Sequence, residues 1–438
     1  MVDKMKMSKV ILLLALTAFA ATVWAAPKVE SWHSKNGAKV LFVPSPGLPM
    51  VDIRVVFDAG SARDTDKPGL AVFTNALLGE TTGDWTPDQV AERLEFVGAE
   101  LSNGALRDMA WVSVRSLTEK KVLDTTLETL SAVLAKPAFI EKDMGRIRKS
   151  MMAALQQEAE SPGEIAEKAF YKALYGDHPY ASNPNGTPES VKALTQADVQ
   201  AFHKQFYVGK NAVVAIVGDL TIDAAKKVAE RSVGMLPTGN HAKVLPEPKA
   251  LTEGSTQHID HPSSQTHIYL GQPGVKRGDP DYFALYVGNH IFGGSGLVSI
   301  LSGEVREKRG LSYSVYSFFM PMRMPGPFQM GAQTRNSQSA EAKKVMRETL
   351  NRYIEQGPTE KELEAAKNNI SGGFPMKISS NKKIVEYLAM IGFYDLPLDY
   401  LDKLVPNVLA ITREQIRSAF RRRLAPGRFV TVTVGKSG

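Results

Sequence analysis

The chain contains no cysteine, so disulfides, thiolate metal sites and cysteine nucleophiles are excluded from its chemistry. It also lacks a P-loop, a Gly-x-Ser-x-Gly elbow and a Gly-x-Gly-x-x-Gly following a strand, which removes the usual phosphate cradles and the serine-hydrolase turn. Gly293-Gly294-Ser295-Gly296 is glycine-rich, but no Lys-Ser or Lys-Thr follows it as a phosphate loop requires. Past Ala21 no apolar run is long enough to cross a bilayer. What is present is ordinary globular material: 438 residues, 43% hydrophobic and 23% charged, enough for two or more cores.

The N-terminus reads as a targeting segment. Lys4, Lys6 and Lys9 precede the apolar stretch Val10 to Ala21, and Val23-Trp24-Ala25 places small residues where a signal peptidase cuts. Residues 1–25 are therefore expected to be a signal peptide; retention of this run as an anchor is the other reading. Export to a bacterial periplasm is the expected localisation. The formal charge of +7 loses 2 with this segment and leaves +5. Much of it lies in Arg413, Arg417, Arg421, Arg422, Arg423 and Arg428. No nucleic-acid motif accompanies these arginines, so they read as a solvated helix face and nucleic acid is not an expected partner.

Val40–Val43 and Val51–Phe57 read as strands around a Pro/Gly turn, and Gly69 to Leu78 as a buried apolar helix. Thr86-Pro87-Asp88-Gln89 is a capping box with proline at the first helical position. Leu101 to Leu117 returns as strand, and Thr118 is placed to cap the next helix. A further helix spans Glu141 to Glu160 and stops at Ser161-Pro162-Gly163; the Gly176-Asp177-His178-Pro179-Tyr180 loop follows. Thr195 opens a helix through Gln205, and Ala212–Val217 is an apolar strand.

The plan then repeats. Leu194-Thr195-Gln196-Ala197-Asp198-Val199 matches Ile411-Thr412-Arg413-Glu414-Gln415-Ile416 at an offset of 217. Gly60, Arg63 and Asn75 to Gly79 fall on Gly274, Arg277 and Asn289 to Gly293 at an offset of 214. Two nearly constant offsets argue for a duplicated unit. The expected domains are residues 27–240 and 255–438, joined by a linker at 241–254 that holds Pro246 and Pro248. Each half mixes strands and helices without strict alternation, so an α+β class with helices packed on one sheet face is expected.

One stretch carries chemistry. Glu304 to Arg309 has helical character, with Leu301 and Val305 four apart; Gly310 stops it, and Leu311 to Phe318 reads as a strand. Such a joint places Arg306 and Tyr313 near one another, able to face a groove. Arg supplies a planar fork of donors and Tyr one O–H.

Gly293-Gly294-Ser295-Gly296 followed by Arg306-Glu307-Lys308-Arg309-Gly310-Leu311-Ser312-Tyr313 resembles the second-half signature of the pitrilysin/insulinase zinc peptidases, which include the mitochondrial processing peptidase. The resemblance runs along nearly the whole mature chain. It implies two similar halves facing each other as a clamshell, and it implies that Arg306 and Tyr313 bind substrate peptide. By the same resemblance Gly293, Gly294, Ser295 and Gly296 form a flexible substrate-side loop like that of a non-catalytic subunit. Related sequences tend to show Ser-Arg-Leu after these glycines, where this chain has Ser299-Ile300-Leu301.

The catalytic half of that signature is absent. Family catalysts carry His-x-x-Glu-His on a helix, where two His at i and i+4 hold zinc and the Glu activates water. After the corresponding Gly69-Leu70-Ala71 step this chain has Val72, Asn75 and Ala76, and the expected third ligand falls near Ala154, with Gln156, Gln157 and Glu158 close by. No zinc is therefore expected on this chain. His258, Asp260, His261 and His267 form a loose cluster that reads as surface histidines; His178 reads as a turn cap, and His290 stands at the counterpart of Ala76.

These residues imply a non-catalytic, substrate-binding subunit of an exported heterodimeric zinc metallopeptidase acting on peptides, inactive alone. A homologous partner with the zinc motif would carry the metal, and a homodimer stays open. The alternatives are a stand-alone periplasmic peptide-binding or scaffolding protein, and a hydrolase with unconventional ligands.

Overall fold

The structure is a computed structural model that describes residues 28–437. The expected signal segment lies outside the described residues. Two sheets organise the fold. The first has strand order β1-β2-β6-β3-β5-β4: β1 (Glu30–His33), β2 (Lys39–Pro44), β3 (Met50–Phe57), β4 (Glu100–Ala105), β5 (Ala110–Leu117) and β6 (Ala212–Gly218). The second has order β7-β11-β8-β10-β9: β7 (Ser255–Asp260), β8 (Gln265–Pro273), β9 (Ser312–Phe319), β10 (Pro327–Arg335) and β11 (Val430–Gly435). Leaving β1 aside, the orders are the same. Both contain one parallel pair, β2 with β6 and β7 with β11, among antiparallel neighbours. The duplicated α+β plan is thus written into strand connectivity.

Helices of the first half are α1 (Leu70–Ala76), α2 (Pro87–Phe96), α3 (Lys120–Ala135), α4 (Glu141–Glu160), α5 (Pro162–Tyr175), α6 (Pro188–Ala193), α7 (Gln196–Phe206) and α8 (Ile222–Val233). Those of the second are α9 (Tyr282–Asn289), α10 (Ser339–Gln356), α11 (Glu360–Lys377), α12 (Asn381–Phe393), α13 (Tyr400–Ala410) and α14 (Arg413–Arg423). The alternation of β2 shows how the layers divide. Val40 and Phe42 join the core of their own half, whereas Leu41 and Val43 point to the opposite face and join a core with α12 of the other half. In β6, Val214 and Ile216 go one way, and Val213, Ala215 and Val217 the other. The second sheet returns the exchange: Val430, Val432 and Val434 of β11 pack with Phe170, Tyr171 and Leu174 of α5. Each half thus lends one helix to cover the other's sheet, and the two close together as a clamshell.

Local signals account for most boundaries. Thr86 and Gln89 make the expected capping box, and Thr195 and Thr412 make the same box in both copies, with Asp198 and Gln415 respectively. Three expectations are corrected. Thr118 does not cap α3, whose first flanking residue is Glu119. Leu101 to Leu117 is a hairpin interrupted at residues 106–109. Ser161-Pro162-Gly163 ends α4 but at once begins α5, with Ser161 accepting from Glu164 N–H and Pro162 at the first helical position.

The connection through residues 237–254 has no helix or strand but is tied down. Arg63 donates to Lys243 O at 2.6 Å, Leu245 is buried, and His178 is 2.8 Å from Pro246 O. His178 also caps its turn, its Nδ1 accepting from Tyr180 N–H at 3.1 Å.

Candidate functional site

The site region is built on irregular backbone. After α9 the chain does not stay α-helical: residues His290–Gly294 form a π-helical turn, and after a short 3₁₀ turn and one α-turn, Gly303–Glu307 form another. Glu304 to Arg309 was expected as ordinary helix; its hydrogen bonds instead skip five residues, as in Lys308 N–H to Gly303 O at 3.0 Å. Such insertions are rare and recur at functional sites. Gly310 then takes φ +60°, and Leu311 N–H returns to Val305 O at 2.9 Å, so the chain reverses between Arg306 and Tyr313.

Tyr313 stands on a β-bulge. β9 pairs with β10 as Gln333 with Ser314 and Thr334 with Ser312, leaving Tyr313 without a partner in the register. The Ser312 hydroxyl holds the distortion, lying 2.7 Å from Ser314 O and 2.6 Å from Gln333 O and accepting Ser314 N–H at 3.2 Å. A bulge on an edge strand re-aims a side chain, and Tyr313 is 80% exposed. Among the described residues neither the Tyr313 hydroxyl nor the Arg306 guanidinium has a hydrogen-bond or ion-pair partner.

The cause for Arg306 lies in Glu304. Its carboxylate gathers Lys308 at 2.8 Å, Arg309 at 2.7 Å and Arg352 at 3.3 Å. Hydrogen bonds from Lys308 and Arg309, reinforced by nearby cationic charge, hold the Glu304 carboxyl down to about 2. The three neighbouring cations are drawn to this one carboxylate, and Arg306 is left uncommitted. The cavity that reaches Gly294 and Ser317 is walled by Phe318 and Phe319 but not by Arg306 or Tyr313. Tyr313 thus stands at the surface of this chain, and Arg306 is half-buried.

The glycine turn is only partly open. A side chain on Gly293 would meet Ser317 Oγ at 2.3 Å, and one on Gly294 would meet Asn289 Nδ2 at 2.8 Å. Asn289 locks the same contact, donating to Ser317 O at 3.0 Å and accepting from Ser317 Oγ at 2.7 Å. Gly293 and Gly294 thus fix a close approach of the turn to β9. Ser295 and Gly296 lead out to Leu297 and Val298, which are 60% and 85% exposed. Asn289, Ser317, Ser312 and Glu304 are the contributors that periodicity did not disclose.

The residues at the expected zinc positions do not fit a zinc ion. Val72 and Ala76 offer no ligand atom on α1, and Ala154 is an exposed methyl on α4, which packs against α1. Asn75 is buried and donates, at 3.2 and 3.3 Å, to Trp111 O and the Tyr207 hydroxyl. Glu158 is held by Lys168 at 2.6 Å and by Asn183 and Asn185. Elsewhere His258 lies between Thr433 Oγ1 at 2.9 Å and Ser437 Oγ at 3.2 Å, and His261 accepts from Ser263 N–H. Among the described residues no three His, Asp or Glu gather as a metal site.

The terminal arginines lie on a largely solvent-exposed face, as expected, and are engaged there in local pairs. Arg423 pairs with Asp279 and Asp281, Arg422 with Asp281, Arg413 donates to Pro358 O, and Arg421 donates to the last carbonyls of α10.

Comparison with known proteins matches this architecture. Residues 39–187 match the family model "Insulinase (Peptidase family M16)", and residues 193–370 match "Peptidase M16 inactive domain". A crystal structure of a peptidase M16 inactive domain from Pseudomonas fluorescens is 39% identical, superposes with a TM-score of 0.91, and is covered over 94% of this chain and 98% of that one. The "Non-peptidase homolog YmxG" of Helicobacter pylori is 27% identical over 392 residues, covering 87% of this chain and 88% of the relative. The "Uncharacterized zinc protease YmxG" of Bacillus subtilis is 23% identical over 399 residues, covering 90% and 95%. With both halves matched, the chain belongs to peptidase family M16, the insulinase family, as a non-catalytic member.

Proposed function

We propose that this chain is the substrate-binding subunit of an exported heterodimeric zinc metallopeptidase, and that Arg306 and Tyr313 are its contribution to a homologous partner that bears the zinc motif. The observation that carries this reading is the pair itself. Two strong donors, Tyr313 exposed and Arg306 half-buried, stand unpartnered on irregular backbone, in a chain whose expected metal positions hold no ligand. An uncommitted guanidinium and phenol are suited to a peptide carbonyl presented by another chain. Donors placed where oxyanion charge develops contribute roughly 10²–10³ in rate each. The lysine–apolar–small-residue pattern before Ala26 supports export.

The test is co-expression with a zinc-motif homologue. Peptidase activity and zinc should appear in the complex and be absent from this chain alone. Arg306→Ala should lower turnover by about 10²–10³ with assembly intact, and Tyr313→Phe should lower it too. Full turnover by an assembled Arg306→Ala complex refutes the role.

A further inference from the structure

The second half contains a cavity of about 630 Å³ between α9, α11 and α12. Its α9 wall is made by Tyr286 and His290, which stand 214 residues after Val72 and Ala76. The repeat position that would carry zinc ligands in the first half therefore lines a pocket in the second, and Gly373 on the facing helix leaves it open. Ile370, Met376, Tyr387 and Met390 make the rest of the surface largely apolar.

Charge is arranged on one side. Lys377 donates to the Tyr286 hydroxyl at 3.2 Å and lies 5.8 Å from the ring centre, and Lys383 donates to Met376 O at 2.8 Å and Ser379 Oγ at 3.3 Å. Neither lysine meets a carboxylate among the described residues. Glu386 is the acid on the wall, and Arg54 of the first half stands 3.7 Å from it. His290 is kept below its ordinary range by burial first and by the nearby Lys377 charge.

This cavity shares Tyr286 and His290 with the one of about 370 Å³ that reaches Gly294 and Ser317. The two cavities are thus adjacent, and a groove through both would extend from the glycine turn to the two lysines. It runs beside β9, an edge strand whose outer backbone edge has no partner strand. A compact anion would fill only the lysine end, whereas an extended chain uses the whole length.

We propose that this groove binds the carboxyl-terminal end of a peptide, with Lys377 and Lys383 on the terminal carboxylate and an apolar last side chain among Tyr286, Tyr387, Met376 and Met390. Charge-assisted hydrogen bonds from two otherwise unneutralised lysines supply the recognition, and the tyrosines and methionines take varied apolar ends.

The groove belongs to this chain alone, so its occupancy is measured without a partner and separately from the subunit role. Fluorescein-labelled hexapeptides ending in Leu, Phe, Met or Val are prepared as free acids and as amides, and titrated with the purified protein by anisotropy. The acids should bind at least about tenfold more tightly than the amides, a difference of roughly 1.4 kcal/mol. Lys377→Met with Lys383→Met should erase that difference. Both lysines are solvent-exposed, and circular dichroism checks the fold; should the double variant unfold, the acid–amide comparison on the unaltered protein still decides. Equal affinity for acid and amide, or no binding by either, overturns the proposal. Binding of dodecanoate without binding of the peptides assigns the groove to fatty anions and overturns it as well.

Discussion

Asn75, at the position where the family resemblance would put a catalytic carboxylate, is built into the core instead. In the metal-binding arrangement this residue would be a carboxylate facing water and zinc. Here its amide is buried and donates to Trp111 O, while its own backbone carbonyl accepts from Asn103 at 2.6 Å. Asn75→Glu would put a carboxylate against a carbonyl oxygen with no cation at hand, costing about 2–4 kcal/mol as for other uncompensated buried charges. The urea midpoint of that variant should fall accordingly, while Ala154→Glu on the exposed face of α4 should leave it nearly unchanged. Equal midpoints for Asn75→Glu and the unaltered chain would show that the position tolerates a carboxylate. The missing ligands were legible in the sequence because Val and Ala have no donor atoms. The hydrogen bonds that occupy the vacancy were not, since Trp111 and Tyr207 are distant in the chain.

At the level of elements, the segment from α9 to β9 departs most from regular structure and holds both Arg306 and Tyr313. Its two π-helical turns and its bulge were invisible to periodicity, which registers only that charges and apolar residues alternate suitably for a helix. The acid Glu304 binds the second turn to α10 through Arg352. Its folded carboxyl titrates near 2, below the ordinary 4.5, so its stabilisation is present above about pH 4.5 and is lost as pH falls toward 2. Glu304→Gln should therefore lower stability by about 1–2 kcal/mol near neutral pH, allowing for its partly solvated partners. The difference from the unaltered chain should vanish near pH 2. A pH-independent difference in melting would refute this assignment. Elements whose signals are local were read correctly: the capping box at Thr86, the helix opening at Thr195, the stop at Gly310 and the strands β2, β3 and β6. The start of α5 was missed because Pro162 was taken only as a terminator, although proline at a first helical position marks a beginning equally well.

At the scale of the molecule, the exchange of α5 and α12 means that neither half has a complete core of its own. Without α12, Leu41, Val213, Ala215 and Val217 would face water, and without α5, so would Val430, Val432 and Val434. The offsets of 214 and 217 disclosed two copies but not this exchange, because α5 and α12 are equally amphipathic whichever sheet they cover. A polar lock reinforces the seam. Asp108 of the first half is buried and accepts from the Tyr180 hydroxyl of its own half at 2.5 Å. From the second half it accepts Tyr394 OH at 2.9 Å and Arg323 N–H at 2.7 Å. Burial and the adjacent Asp108 charge push both tyrosine hydroxyls well above their ordinary range, so they remain donors across the working pH. Calorimetry should accordingly give one unfolding transition for the two halves, since opening either exposes the inner face of both sheets. Asp108→Asn turns one acceptor into a donor facing donors and should cost about 2–4 kcal/mol. That loss should lower the single transition as a whole, because the lock belongs to both halves at once. Two separate transitions in the unaltered protein, or an Asp108→Asn variant that melts only one half, would mean that the exchanged helices are held by their own half alone.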